Sequence, residues 1–268
     1  MWQSVSRVIG ALTSGDDATR QYDIAAERIQ TALLNITVPR VSGLDIGVHA
    51  EPARLVGGDY IDVFNRGTHL LFGLGDASGK SLGAAINALM LRYLLRGLIQ
   101  VLGHEQLAAI VRHTNEVLIE DFEQTDYFIT FLVGTLDAGS GLFKVVNAGH
   151  EPPLILRAGS QSVEVMGKHG IVLGVDPRAK YALQETVLET GDRVVLFTDG
   201  LTEASNERGE LFTVEQLKEK FLEHRYLSAQ ELADRLFDDV KAYSNDNMRD
   251  DATMLVIRRI GDELIKTE

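Results

Sequence analysis

The sequence predicts an α+β domain whose strands bring acids together at one sheet edge, and three observations predict it. The apolar runs Val194-Val195-Leu196-Phe197 and Leu70-Leu71-Phe72-Gly73-Leu74 read as buried strands, and each stops just short of an aspartate, Asp199 and Asp76. Near the C-terminus the order inverts: Asp250-Asp251 comes first and the strand Thr253-Met254-Leu255-Val256-Ile257 follows, which fits a strand antiparallel to the others. Between these strands, two stretches carry apolar residues at helical spacing.

Taken in order, residues 16–34 read as a helix with Asp16 or Asp17 at its N-cap and a narrow stripe of Ala25, Ile29 and Leu33. Such a stripe suits packing on the domain, pairing with a second copy, or a linker helix from a sensor. Pro39 ends that region, and Leu44, Ile46 and Val48 alternate along a first strand over 44–49. Next comes Gly57-Gly58-Asp59-Tyr60-Ile61-Asp62, where paired glycines permit a backbone path beside an acid that a side chain would block. Taken alone, it would be a hairpin with an exposed aspartate.

Gly79-Lys80-Ser81 imitates the end of a phosphate-cradling loop, but that motif needs glycine where Leu74 stands, and Asp76 would repel phosphate. A helix follows over 81–102, with Gly83, Ala84, Ala85 and Ala88 allowing close packing and Gly103 ending it. A second helix covers 105–122, and its His113 reads as structural. Residues 128–136 and 142–146 form a hairpin about the turn 138–141. Pro152-Pro153 set a rigid bend, with His150 as a turn residue, before a short hairpin of 154–157 with 163–165. A strand over 181–188 turns into the Asp199 strand, 203–210 is a polar loop, helices cover 214–223 and 228–244, and 245–247 leads to the last strand.

Two carboxylates about 4 Å apart repel by roughly 4 kcal/mol at an effective dielectric of 20, so several converging acids need a counter-charge. A divalent cation is the economical one, and all-oxygen ligation points to Mg²⁺ or Mn²⁺. The chain's lack of cysteine agrees. With 268 residues, 45% of them hydrophobic, length allows one large or two small domains, but acids spread from Asp59 to Asp250 require most of the chain to fold together. A net charge of −13 argues against a nucleic-acid surface, which needs a basic stripe. The most apolar stretch, 84–102, is interrupted by Asn87, Arg92 and Arg96, so no membrane span is expected; no signal peptide is evident, and a cytoplasmic protein is expected.

The motifs Pro52-Ala53-Arg54 through Asp62, Gly75-Asp76-Ala77-Ser78-Gly79-Lys80, Asn147-Ala148-Gly149-His150, Phe197-Thr198-Asp199-Gly200-Leu201-Thr202-Glu203-Ala204 and Asp250-Asp251-Ala252-Thr253 occur in order and suitably spaced. Together they resemble the PPM-type metal-dependent Ser/Thr phosphatases, in the bacterial branch typified by SpoIIE and RsbU. The resemblance implies an α-β-β-α sandwich, two antiparallel sheets flanked by helices, and a site for two Mn²⁺ or Mg²⁺ ions. It implies metal and catalytic roles for Asp59, Asp76, Asp199 and Asp250, metal contacts from the Ala77 carbonyl and Asp251, and a phosphate-holding role for Arg54. It also implies a phosphorylated STAS-domain substrate, an anti-anti-sigma factor in a partner-switching pathway.

The expected organisation is a helical linker or regulatory segment over 1–40, able to form a homodimer, and a phosphatase domain over 41–262. The alternatives are an idle scaffold of the same fold, which would be expected to have lost metal ligands, and an ATP-binding switch, which Leu74 weakens. The chain departs from the branch at Ser81, where glycine is common, and at Phe212-Thr213, where Phe-Gly is common. Ser78 stands where eukaryotic relatives have a histidine proposed as proton donor.

Overall fold

A computed structural model describes residues 24, 28–31, 33, 36–79, 82–122, 126–167 and 170–261. Most of the helix expected over 16–34, including Ala25, lies outside the described residues, as do Lys80 and Ser81. Among the described residues the strands form two five-stranded sheets in which every pairing is antiparallel. One contains β1 (Leu44–Glu51), β10 (Ala252–Arg259), β9 (Arg193–Phe197), β6 (Leu154–Leu156) and β7 (Val163–Val165), in that order. The other runs β2 (Asp59–Arg66), β3 (His69–Ala77), β4 (Ile129–Asp137), β5 (Leu142–Ala148) and β8 (Leu183–Val187).

Strand alternation divides the apolar side chains into three layers. Ile61, Val63, Phe72 and Leu74 from one sheet meet Val194, Leu196, Leu255 and Ile257 from the other in the central layer. The outer face of the β2–β8 sheet carries α1 (Leu82–Leu102) and α2 (Leu107–Phe122), packed on Tyr60, Phe131 and Val146. The outer face of the other sheet carries α3 (Val214–Glu223) and α4 (Ala229–Tyr243), packed on Val195, Phe197 and Val256. The architecture is therefore the expected α-β-β-α sandwich.

Local chemistry sets the helix starts. Thr213 caps α3 and Ser228 caps α4, each in a reciprocal capping box, with Gln216 and Glu231 respectively. The Phe212-Thr213 departure thus replaces one accepted N-cap residue by another. At the other end of the α1 pattern, Gly103 adopts φ +85° and its N–H reaches the Ile99 carbonyl at 3.0 Å, closing the helix. Edge strand β1 is covered rather than left open: the Gln230 amide accepts the Val48 N–H and donates to the Val48 carbonyl, both at 3.1 Å.

Helix α1 corrects the expectation that no segment is long and apolar enough for a membrane; by length and composition it qualifies. Its arginines explain why it is a core helix here. Arg92 is buried and donates to the carbonyls of Leu33 at 2.6 Å and Ile61 at 2.8 Å, while Arg96 forms a two-pronged ion pair with Asp62, both contacts 2.7 Å. Leu33 is 1% exposed in the layer beneath α1, and Ile29 packs against the same layer. These two residues of the expected stripe dock on the domain itself.

Candidate metal centre

The register of β2 on β3 sets Asp59 opposite Asp76 at one end of their sheet. Asp59 is 7% exposed and turns toward the other sheet, where its Oδ2 accepts from Thr198 Oγ1 at 2.8 Å and Thr253 Oγ1 at 2.6 Å. Thr198 follows β9 and Thr253 lies in β10, and the Thr253 N–H donates to Thr198 Oγ1 at 2.9 Å. One carboxylate is thereby held by two neutral hydroxyls across the sandwich. Burial first, and then the charge of Asp76, push the Asp59 carboxyl well above the usual carboxylate range; the two hydroxyls oppose this.

Asp199 opens a 3₁₀ turn directly after β9, and it is only partly exposed. Its carboxyl is raised to about 6 by burial first, then by Glu203, Asp250 and Glu151. Asp250 Oδ1 accepts the Asp251 N–H at 3.0 Å. Asp251 plays a different part: Oδ1 accepts the Ala53 N–H at 2.8 Å and Oδ2 the Gly58 N–H at 2.7 Å, so its carboxylate ties down the loop between β1 and β2. A Cβ on Gly57 would lie 2.2 Å from Asp251 Oδ2, and one on Gly58 would lie 2.5 Å from the Ala77 carbonyl oxygen. The paired glycines therefore serve close approach. Gly200 does the same, since its Cβ would meet the Asp251 carbonyl at 1.9 Å.

The acids do not line one sheet edge, as the sequence suggested. Asp59 and Asp76 come from one sheet, Asp199, Asp250 and Asp251 border strands of the other, and the cluster forms because both sheets present the same end. Electrostatically it divides in two: Asp59 with Asp76 and Asp251, and Asp199 with Asp250, Glu203 and Glu151. Arg54 is exposed on the tied loop. Ser78 accepts the Phe128 N–H on Oγ at 2.9 Å.

Sequence reasoning missed four participants. Thr198 and Thr253 passed as strand residues, although each sits beside a motif aspartate. Glu151 and Glu203 passed as loop residues, although both stand inside or directly after the motifs quoted. His150, expected as a turn residue, reaches the site's edge: its Nδ1 meets Thr130 Oγ1 at 2.9 Å, and that hydroxyl accepts the Asp76 N–H at 3.3 Å. His113 is on the surface, bonded to Glu116 at 2.8 Å.

The donor set suits a hard divalent cation. It is all oxygen, burial and neighbouring acids push the carboxyls of Asp59 and Asp199 up, and buried Asp59 is held by hydroxyls that bring no charge.

A family model described as Stage II sporulation protein E (SpoIIE) matches residues 66–260. The chain belongs to this family, the PPM-type phosphatases of the SpoIIE and RsbU branch. Asp76, Asp199, Asp250 and Asp251 fall inside the matched segment, while Arg54 and Asp59 precede it. Phosphoserine phosphatase RsbU of Bacillus subtilis is 30% identical over 239 residues, covering 89% of this chain and 70% of RsbU. Among solved structures, the RsbU and RsbW domains of Rv1364c from Mycobacterium tuberculosis align with TM-score 0.67 and 27% identity, covering 83% of this chain and 62% of that one. The SiaA-PP2C domain of Pseudomonas aeruginosa aligns with TM-score 0.77 and 21% identity over 92% of this chain and 98% of that one, a likeness of fold. The same fold is found in the PstP catalytic domain in complex with 2 manganese ions, at TM-score 0.61 and 17% identity over 81% of this chain and 98% of that one. Metal-bound structures thus occur among the SpoIIE-family chain's fold neighbours.

Proposed function

We propose that the protein hydrolyses phosphoserine or phosphothreonine on a partner protein, in a reaction that depends on two Mn²⁺ or Mg²⁺ ions. The observation that carries this reading is Asp59, a buried carboxylate facing Asp76 and held, among the described residues, only by neutral hydroxyls. Asp59, Asp76, the Ala77 carbonyl, Asp199, Asp250 and Asp251 would hold the ions. Bound there, the ions would supply an acidified water as nucleophile and offset charge developing on the phosphoryl oxygens.

The chain's own residues do the positioning. Thr198 and Thr253 fix the Asp59 carboxylate, so that its free oxygen keeps one direction. Asp251 locks the loop that carries Arg54, whose guanidinium would hold the substrate's phosphate. Thr130, held by His150, steadies the backbone at Asp76. Protonation of the leaving hydroxyl falls to water or an unassigned group, since Ser78 replaces the histidine of eukaryotic relatives.

The substrate is proposed to be a phosphorylated STAS-domain protein in a partner-switching pathway. Similarity to RsbU, and the joining of an RsbU to an RsbW domain in Rv1364c, support that class. Phosphate release from a panel of phosphorylated STAS proteins, with Mn²⁺, Mg²⁺ or chelator, tests both statements. Asp199→Asn is expected to lower turnover at least about a hundredfold, equivalent to roughly 2.7 kcal/mol of transition-state stabilisation. Chelator-resistant turnover, or a near-normal Asn variant at saturating metal, would sink the assignment.

Residues 1–40 are proposed as a regulatory segment that acts on the metal loop, alone or through a homodimer. Support comes from Gln30, whose Oε1 accepts the Gly57 N–H at 2.8 Å, two residues before Asp59. Leu33 is too buried for an informative variant, but Ile29 is only partly buried. Ile29→Asp is expected to change turnover or oligomeric mass with little change in melting. A large melting loss at unchanged mass and turnover would reduce the segment to packing.

A further inference from the structure

Beyond the acid cluster, at the opposite end of β9, a cavity of about 220 Å³ opens between the start of that strand, the β6–β7 turn and the α3–α4 connection. The six steps along the chain from Arg193 to Asp199, at about 3.3 Å each, put it roughly 20 Å from the acids. Arg193 lines the cavity with 5% of its surface exposed, and its Nη1 is buried without a hydrogen-bond partner among the described residues. Cross-strand register sets Arg258 directly beside it on the same face, with Asp45 one strand further on. Burial first, and then Arg258, bring the Arg193 guanidinium down to about 10, and Asp45 offsets this only in part. The Asp45 carboxylate is itself engaged, accepting the Ala229 N–H at 2.9 Å.

A second arginine lines the same space. Arg225 lines the cavity, lies over the Tyr226 ring at 4.5 Å, and uses one nitrogen to hold the Leu222 carbonyl at 2.7 Å. Arg157 is also in the wall, but its charge is taken by Asp192 at 2.9 Å and Glu164 at 3.2 Å.

Burying a guanidinium beside another cation, with a donor left unmade, is costly unless an anion completes the set. We infer that this cavity binds a phosphate-bearing anion, held by Arg193 and Arg225. Arginine's planar fork matches phosphate oxygens in pairs. The volume lies below the ~300 Å³ at which pockets for drug-sized ligands begin, so the occupant is a single phosphoryl group rather than a nucleotide. Inorganic phosphate and a phosphorylated side chain share that chemistry. The inference stands apart from the catalytic reading, because it uses none of the acid cluster.

The test is calorimetric titration of the full chain in chelator, which removes metal-dependent phosphate binding at the acids. The probes are inorganic phosphate, a phosphoserine peptide and the same peptide unphosphorylated. The parent and Arg208→Ala, an equal loss of charge on a remote exposed loop, are expected to bind alike. Arg193→Met and Arg225→Ala are each expected to weaken binding about tenfold or more. Arg193→Met removes a buried charge that is only partly compensated, so it should melt no lower than the parent; should it fail to fold, Arg225→Ala on the partly exposed connection carries the test. Binding of phosphate alone identifies the free ion as occupant, and binding of the phosphopeptide but not its unphosphorylated form identifies a modified side chain. Equal affinity in parent and pocket variants, or no binding of either phosphate probe at millimolar concentration, overturns the inference.

Discussion

Asp59 and Asp62 lie on one strand, are both buried, and have opposite fates. A separation of three residues on a strand of period two sends them to opposite faces. Asp62 points to the helix layer and meets Arg96 through two 2.7 Å contacts. Asp59 points between the sheets and meets hydroxyls and other acids. A buried carboxylate that the chain itself neutralises is a structural ion pair, whereas one surrounded by like charge is half of a site whose counter-ion comes from solution. Burial alone does not separate the two cases; the partner does.

The comparison breaks most visibly at Asp62. Arg96→Met should leave that carboxylate buried without its cation and cost about 2–3 kcal/mol, discounted below the range for a fully buried broken pair because the guanidinium is half exposed. Chemical denaturation would measure it, and turnover per folded molecule should stay near the parent's. A loss of turnover larger than the loss of folded protein would mean that Asp62 belongs to the site.

The acid cluster should respond to pH in the reverse sense from a stabilising ion pair. The Asp199 carboxyl titrates near 6 in the folded protein against an ordinary 3.8, so the folded state binds the proton more tightly. Its contribution to stability is fully present below about pH 3.8 and is lost as pH rises through about 6. For the metal-free protein, raising pH from about 5 to about 7.5 should cost the parent about 1 kcal/mol more than Asp199→Asn, allowing for the residue's partial exposure. Saturating Mn²⁺ should flatten the difference. An equal slope in both proteins would remove Asp199 from the repelling group.

Much of this was legible in the residues. Periodicity and turn chemistry placed the strands and helices because they are local properties, and α3 over Val214–Glu223 matches its expected span. The motif aspartates were legible because charged residues at the ends of apolar runs need explanation. What stayed hidden depends on pairing between distant segments. Asp251 reaches backbone at Ala53 and Gly58, and Thr253 reaches Asp59, contacts that no local pattern encodes. Arg92 and Arg96 looked like interruptions of an apolar helix, because the sequence does not say that Ile61 O and Asp62 lie beneath them. The assignment of the acids to two sheets was hidden for the same reason: strand ends are local, and sheet membership is not.

Manganese titration by calorimetry, across the parent, Asp59→Asn and Asp62→Asn at about pH 6, tests the central contrast most directly. The parent should bind Mn²⁺ and release protons, because the clustered carboxylates hold them until metal arrives. Asp62→Asn should bind with affinity within a few-fold of the parent. Asp59→Asn should lose at least about tenfold in affinity and part of the proton release. Equal Mn²⁺ affinity in Asp59→Asn and the parent, or loss in Asp62→Asn alone, would contradict the assignment of the acid cluster as the metal centre.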